Sequence, residues 1–231
     1  MIKIDKTEVL GWEAAIRGMR NPLNSWEKSD SDWEFVEDSS IINPNDEVKW
    51  VIGENDHGLM MSLAKAGHSH SKYRRMINVS CDINAPLYWW KEYDTYKVGT
   101  VANSTSTMHK IHAKEFTLED FSCEHLFADY GDPSMNLNYG GKYPKAALLD
   151  LIHILNSFRY WFIETKDKRY WWQMIQLLPT SYNQLRTVQF NYEVLANMYH
   201  DRKNHKLDEW RDFCEWVESL PYSEIITGCN E

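Results

Sequence analysis

The run from Gln184 to Arg202 constrains this chain most, because it carries neither glycine nor proline and follows closely on Pro179. Its apolar residues Val188, Leu195, Met198 and Tyr199 recur at helical intervals, which predicts one long helix. On such a helix Asn191 and Arg202 are about three turns apart and share nearly one face, with Asn197 turned roughly a third of a turn away. Amides and a guanidinium on two adjoining faces suit a pocket walled by more than one element. Arginine offers a fixed fork for phosphate or carboxylate, and asparagine both donates and accepts. The plainer reading is a solvated helix with ordinary polar residues.

Around that run the chain reads as a single domain, residues 1–231, long enough to bury a sizeable core. Strands are expected at Ile2–Leu10 and Met76–Ile83, and helices at Gly11–Met19, Asp56–Ala66 (ending at Gly67), Lys145–Glu164, Lys168–Leu178 and Leu207–Leu220. A further helix is expected from Pro86 to Val98, and Thr117 to Asp120 has the pattern of a capping box. Arg17 to Asp46 and Asn136 to Pro144 read mostly as loop. In the first of these loops, Arg17 and Arg20 are candidates to reach a ligand phosphate, ordinary exposed arginines being the commoner case.

A net charge of -9 argues against general binding to nucleic acid or to anionic membranes. No apolar run approaches the length of a membrane span, and the start MIKIDKTEVL has no signal-peptide core. The four cysteines are scattered, with no pairing motif and no His/Cys ligand cluster, so a reducing, cytoplasmic setting without a structural metal is expected. The 11 Trp and 13 Tyr gather at Tyr88–Tyr96 and Tyr160–Trp172. Such clusters build a core or a subunit interface, or, in the sharper reading, a pocket for a flavin or a base. No Walker A, dinucleotide-binding fingerprint or nucleophile elbow is present.

Two stretches carry a family resemblance. In one, Leu178-Pro179 leads to Asn191, Glu193, Asn197 and Arg202. In the other, Gly67-His68 is followed by Ser71, Tyr73 and Arg74, then the expected strand and Ala85-Pro86. From that proline the chain continues through Lys91-Glu92 and Thr95-Tyr96-Lys97 to the NSTSTMH run, Asn103 to His109. Together these resemble the flavin-dependent thymidylate synthases, over about Leu59 to Trp216. That family shows an LP step before N-x-R-x3-N-x4-R, a Gly-His followed by a Ser/Thr-Pro-Phe-Glu-His turn, an Arg-Gln pair, and the signature RHR-x7-S-x-R-Y. Here Glu193 stands where the family has Arg, and Arg74 where it has Glu. Lys91-Glu92 replaces Arg-Gln, and Thr95-Tyr96-Lys97 replaces the triplet.

The resemblance implies an α+β fold, an antiparallel sheet with long helices, in a homotetramer whose sites are shared between subunits. It implies FAD as cofactor, contacted by His68, Ser71, Tyr96, Lys97, Asn191 and Asn197. Lys91, Glu92, Ser104, Ser106 and Thr107 would bind the nucleotide, and Arg202, the catalytic residue, would polarise its uracil. NADPH and methylenetetrahydrofolate would be co-substrates in methylating dUMP to dTMP, or in a closely related pyrimidine nucleotide modification. With two arginines absent from the triplet, Lys91, Lys110, Arg74 and Arg75 are available to compensate, alongside the hydroxyl run Ser104 to Thr107. A rival reading is a relative that binds a nucleotide without flavin chemistry, and a third is a structural oligomer.

Overall fold

A computed structural model of the protein describes residues 2–35, 48–128 and 143–228. The chain begins with β1 (Lys3–Leu10) and α1 (Trp12–Arg20), followed by β2 (Asp32–Phe35) and β3 (Val48–Val51). Next come α2 (Glu54–Lys65), β4 (Asn78–Pro86), α3 (Leu87–Tyr93) and β5 (Val101–Ser104). The rest is α4 (Pro144–Thr165), α5 (Lys168–Leu177), β6 (Asn183–Asn191), α6 (Tyr192–Arg202), α7 (Asp208–Glu218) and α8 (Glu224–Thr227). One sheet has four strands in the order β1-β4-β6-β5, and β2 and β3 form a separate antiparallel pair. Leu87 N–H donates to the Tyr182 carbonyl and Tyr192 N–H to the Ile77 carbonyl, so β4 and β6 run in opposite directions.

The chain divides into two compact units: residues 1–5, 82–95 and 102–187 form the first, and residues 6–81, 96–101 and 188–231 the second. In the first, Ile111, Phe116 and Phe121 pack with Leu148, Ile152 and Leu155 of α4 and Met174 of α5. Asn156 fastens that packing by accepting from Phe116 N–H at 2.9 Å and donating to Phe116 O at 2.8 Å. The capping box at Thr117 is present, on a 3-10 turn. In the second unit, α7 buries Trp210, Phe213, Cys214 and Val217, the helical spacing that its sequence shows. Gly67 follows α2 at φ +94°, the left-handed conformation that lets a glycine end a helix.

Several expectations need correction. The run Gln184 to Arg202 is not one helix: it is β6 followed by α6. Gln184, Val188 and Phe190 turn inward while Leu185, Thr187 and Gln189 face out, a period of two rather than 3.6. Thr187, Val188 and Phe190 suit a pleated sheet, and Asn191 is extended and caps the helix that follows. Asn191 and Arg202 therefore do not share a helix face. The helix expected over Pro86–Val98 ends at Tyr93. Its rings Trp89, Trp90 and Tyr93 are all at most 2% exposed within the chain, so they are core and not spare interface surface. The loop read at Arg17–Asp46 contains β2, whose partner β3 lies beyond it; residues 36–47 lie outside the described ones. So does the loop expected from Asn136, up to residue 142. Arg20 reaches no ligand phosphate from its buried position, described below.

Candidate functional site

The residues singled out as cofactor-binding, His68, Ser71, Tyr96, Lys97, Asn191 and Asn197, all fall in the second unit, together with Arg202. Lys91, Glu92, Ser104, Ser106 and Thr107 fall in the first.

In the second unit the start of α6 is the organising element. Asn191 Oδ1 accepts from Val194 N–H at 3.0 Å and so satisfies an orphan donor of the helix. Gly99, at φ +78°, approaches this turn so closely that a Cβ there would sit 2.8 Å from Val194 Cγ2 and 3.0 Å from Asn191 Nδ2. The glycine is required on both counts.

Glu193, one turn in, is buried. Its Oε1 lies 2.5 Å from His68 Nδ1, and its Oε2 accepts from Ser71 Oγ at 3.3 Å. Arg74 Nε is 3.5 Å from Oε2, an ion pair, and Arg74 Nη2 donates to Ala64 O at 3.4 Å. Arg74 is 5% exposed, so it does not supply phosphate charge from the surface as expected; it neutralises a buried carboxylate. Arg74 and Glu193, which the resemblance set against Glu and Arg, thus meet as one ion pair, an exchange of charges relative to what the resemblance implies. His68 is tethered by that pair while 74% of its side chain stays exposed. Tyr73 adds an anchor, its hydroxyl donating to Met60 O at 2.8 Å. Ser71, Arg74 and Glu193 hold the turn, and His68 is what the turn presents.

Arg202 ends α6 in a different setting. Its Nε donates to Tyr96 Oη at 2.9 Å, and its guanidinium carbon lies 4.7 Å from the Trp210 ring centroid and 5.5 Å from that of Tyr96. Tyr96 Oη in turn donates to Asp201 Oδ2 at 3.1 Å. Burial pushes the Tyr96 hydroxyl above its ordinary pKa; Arg202 pulls it down and Asp201 pushes it up, with a net rise, so it stays protonated at neutral pH. A planar cation stacked on a buried indole and held by a tyrosine hydroxyl has little rotamer freedom left to lose on binding. Asn197 is exposed on α6, and Lys97 is exposed beside Tyr96.

In the first unit Lys91 and Ser104 are exposed, and Glu92 and Thr107 partly so. Much of the hydroxyl run is turned onto the backbone. Thr105 Oγ1 donates to Leu185 O at 3.2 Å, and Ser106 Oγ accepts from Met108 and His109 N–H at 3.3 and 2.8 Å. Thr95 Oγ1 donates to Glu92 O at 2.7 Å. Sequence reasoning missed Trp210, the platform beneath Arg202; its aromatic character at the buried stripe of α7 was the available signal. Among the described residues, no group of three or more His, Cys, Asp or Glu is placed to hold a metal, and no helix is long and apolar enough to cross a membrane.

The chain is similar to the flavin dependent thymidylate synthase from Helicobacter pylori complexed with FAD and dUMP: TM-score 0.65, 14% identity, covering 99% of this chain and 100% of that one. It is also similar to the UMP/dUMP methylase PolB from Streptomyces cacaoi bound with 5-Br UMP: TM-score 0.60, 12% identity, covering 99% and 95%. No family model matches, and no curated protein is similar. The fold is that of the flavin-dependent thymidylate synthases, α+β with an antiparallel sheet and long helices, as expected.

Proposed function

We propose that this protein binds a pyrimidine mononucleotide, with Arg202 as the residue that grips it. The carrying observation is the clamp on Arg202: a guanidinium stacked on Trp210 and pinned by Tyr96. Such a fork is pre-organised for an anionic or carbonyl oxygen, and the half-buried setting strengthens each hydrogen bond it makes. Solved structures of this fold were obtained with dUMP, 5-Br UMP and 5-Br dUMP, which supports a uracil nucleotide as the ligand. Lys97 offers a cation for its phosphate in this unit.

A second reading is FAD-dependent methylation of dUMP, or a closely related pyrimidine modification, in a homotetramer. It is favoured by the exchanged Arg74–Glu193 pair, which preserves the turn presenting His68, and by the FAD held in the Helicobacter pylori structure. The donor set at Thr95-Tyr96-Lys97 does not fit the flavin's pyrophosphate. Thr95 and Tyr96 direct their hydroxyls to Glu92 and Asp201, which leaves one exposed lysine for two phosphates. Support for self-association comes from α4, where Leu149, Ile154, Tyr160 and Trp161 are exposed.

Calorimetric titration with dUMP, UMP and FAD separates the two. Binding of dUMP or UMP by a colourless protein that does not quench added FAD supports the first reading. FAD binding followed by dTMP formation, once NADPH and methylenetetrahydrofolate are supplied, supports the second. Absence of any nucleotide binding contradicts both.

A further inference from the structure

A cavity of about 430 Å³ in the first unit is lined by His109, His112, Phe162, Lys166, Lys168 and Trp171, together with Met108. Among the described residues that line it there is no Asp or Glu, although the whole chain carries a net charge of -9. Asp167, between the two lysines, is committed elsewhere: its carboxylate accepts from Arg169 N–H at 2.9 Å and pairs with the Arg169 side chain at 2.6 Å. The lining is cationic and aromatic, and the acid between the two lysines in sequence is paired with Arg169.

The walls fix the cations in place. Lys168 Nζ rests 5.7 and 5.8 Å from the ring centroids of Trp171 and Trp172. Trp171 is itself held, its Nε1 donating to Met108 O at 2.9 Å. Lys166 ends α4 at φ 58°, with its N–H on Phe162 O at 2.9 Å, in the left-handed position that helix ends usually give to glycine. A lysine kept there accepts backbone strain in order to put an ammonium at the cavity. His112 reports the resulting field: burial, then Lys110, Lys166 and Arg159, push its pKa below the ordinary imidazole value. Arg159 also donates to His112 O at 3.0 Å, so its charge is fixed close to the ring. Cations converging on a neutral imidazole repel one another until an anion joins them.

We propose that this cavity binds a small organic anion that carries a flat ring, its negative group against Lys166, Lys168 and His109 and its ring against Trp171 and Phe162. The site is independent of the reading given to Arg202, which lies in the other unit. Two chemistries converge in it: ammonium groups take the charged end, and the indole and phenyl walls take the planar end.

The test uses phenyl phosphate and inorganic phosphate as probes on the full protein, followed through the His112 ring resonances by NMR, assigned with His112→Gln. Phenyl phosphate is expected to shift those resonances saturably, to raise the His112 titration midpoint, and to bind at least tenfold tighter than inorganic phosphate. Lys168→Ala, an exposed substitution, should weaken it about tenfold, the loss of one charge-assisted contact. Lys166→Gly should weaken it as well while raising the melting temperature of the free protein, because the strain is relieved. Arg202→Ala should leave this binding unchanged, which separates the site from the nucleotide site. No shift at His112, or an affinity in Lys168→Ala and Lys166→Gly unchanged from that of the unmodified protein, overturns the proposal. Equal affinity for the two probes strikes out the ring, and loss of binding in Arg202→Ala reassigns the anion to the other unit.

Discussion

Arg20 and Arg202 each end a helix of the second unit, and their surroundings differ in burial and in the partners they supply. Arg20 is 4% exposed with every guanidinium nitrogen committed to protein: Nε to Asp56 Oδ1 at 2.6 Å, Nη1 to Ser25 O at 3.2 Å and Nη2 to Lys28 O at 3.0 Å. Asp56 is fully buried and accepts further bonds from Ser29 and Ser31 hydroxyls, both at 2.7 Å, and from Asp30 N–H at 3.1 Å. That network ties the segment Ser29–Ser31 to α1 and α2. Arg202 is instead partly exposed, stacked on Trp210 and steadied by a hydroxyl. A cation whose donors all close on the protein holds the fold. Arg202, partly exposed on its aromatic platform, is the one proposed to meet a ligand.

The contrast breaks most easily at Arg20. Arg20→Ala leaves the Asp56 carboxylate buried without its counter-charge and is expected to cost about 3–5 kcal/mol in urea unfolding. A loss below about 1 kcal/mol would show that the network is dispensable. Next in size is the exchanged pair. Arg74→Glu or Glu193→Arg alone puts like charges together in a buried place and should cost about 3 kcal/mol or more, while the double exchange should recover most of it. A double variant no more stable than the singles would show that the pair's orientation, and not only its complementarity, is fixed.

Smaller effects sharpen the comparison. Tyr96→Phe removes the pin on Arg202 and should cost about 1 kcal/mol of nucleotide affinity, a fewfold to tenfold change, with stability nearly intact. Burial pushes the Asp56 carboxyl up, but hydrogen bonds from Ser31, Ser29, Arg20 and the Asp30 backbone outweigh it and hold the pKa below the ordinary 3.8. Its stabilisation is therefore complete above that value and drains away as pH falls through the lower, folded one. Replacing Ser29 and Ser31 by Ala should bring the acid loss in at higher pH, read from unfolding curves at a series of pH values. An unchanged acid limb would mean that the serines do not set the carboxyl's affinity for a proton.

Much of the frame was legible because its signals are local. β4 alternates buried Val79, Cys81, Ile83 and Ala85, α2 stops at Gly67, and α4, α5 and α7 lie within a residue or two of where periodicity put them. The miss at Gln184–Arg202 arose because an uninterrupted stretch was read with one period, when its first half alternates and its asparagine caps. The β2–β3 pair escaped notice in a polar segment whose strand signal is only four residues long. At the site, resemblance picked out Arg74 and Glu193 as departures one at a time. Only the fold brings the two to a 3.5 Å contact, since charge complementarity across the chain has no local signature. The burial of Arg20 was invisible for the same reason: its partner Asp56 is distant in sequence.

The most direct measurement is calorimetric titration of dUMP into the unmodified protein and into Arg202→Ala, with a thermal melt of each without ligand. If Arg202 is the nucleotide's clamp, affinity falls by about 2–4 kcal/mol and the ligand-free melt scarcely moves. Unchanged affinity beside a collapsed melt would make Arg202 a second Arg20 and contradict the assignment.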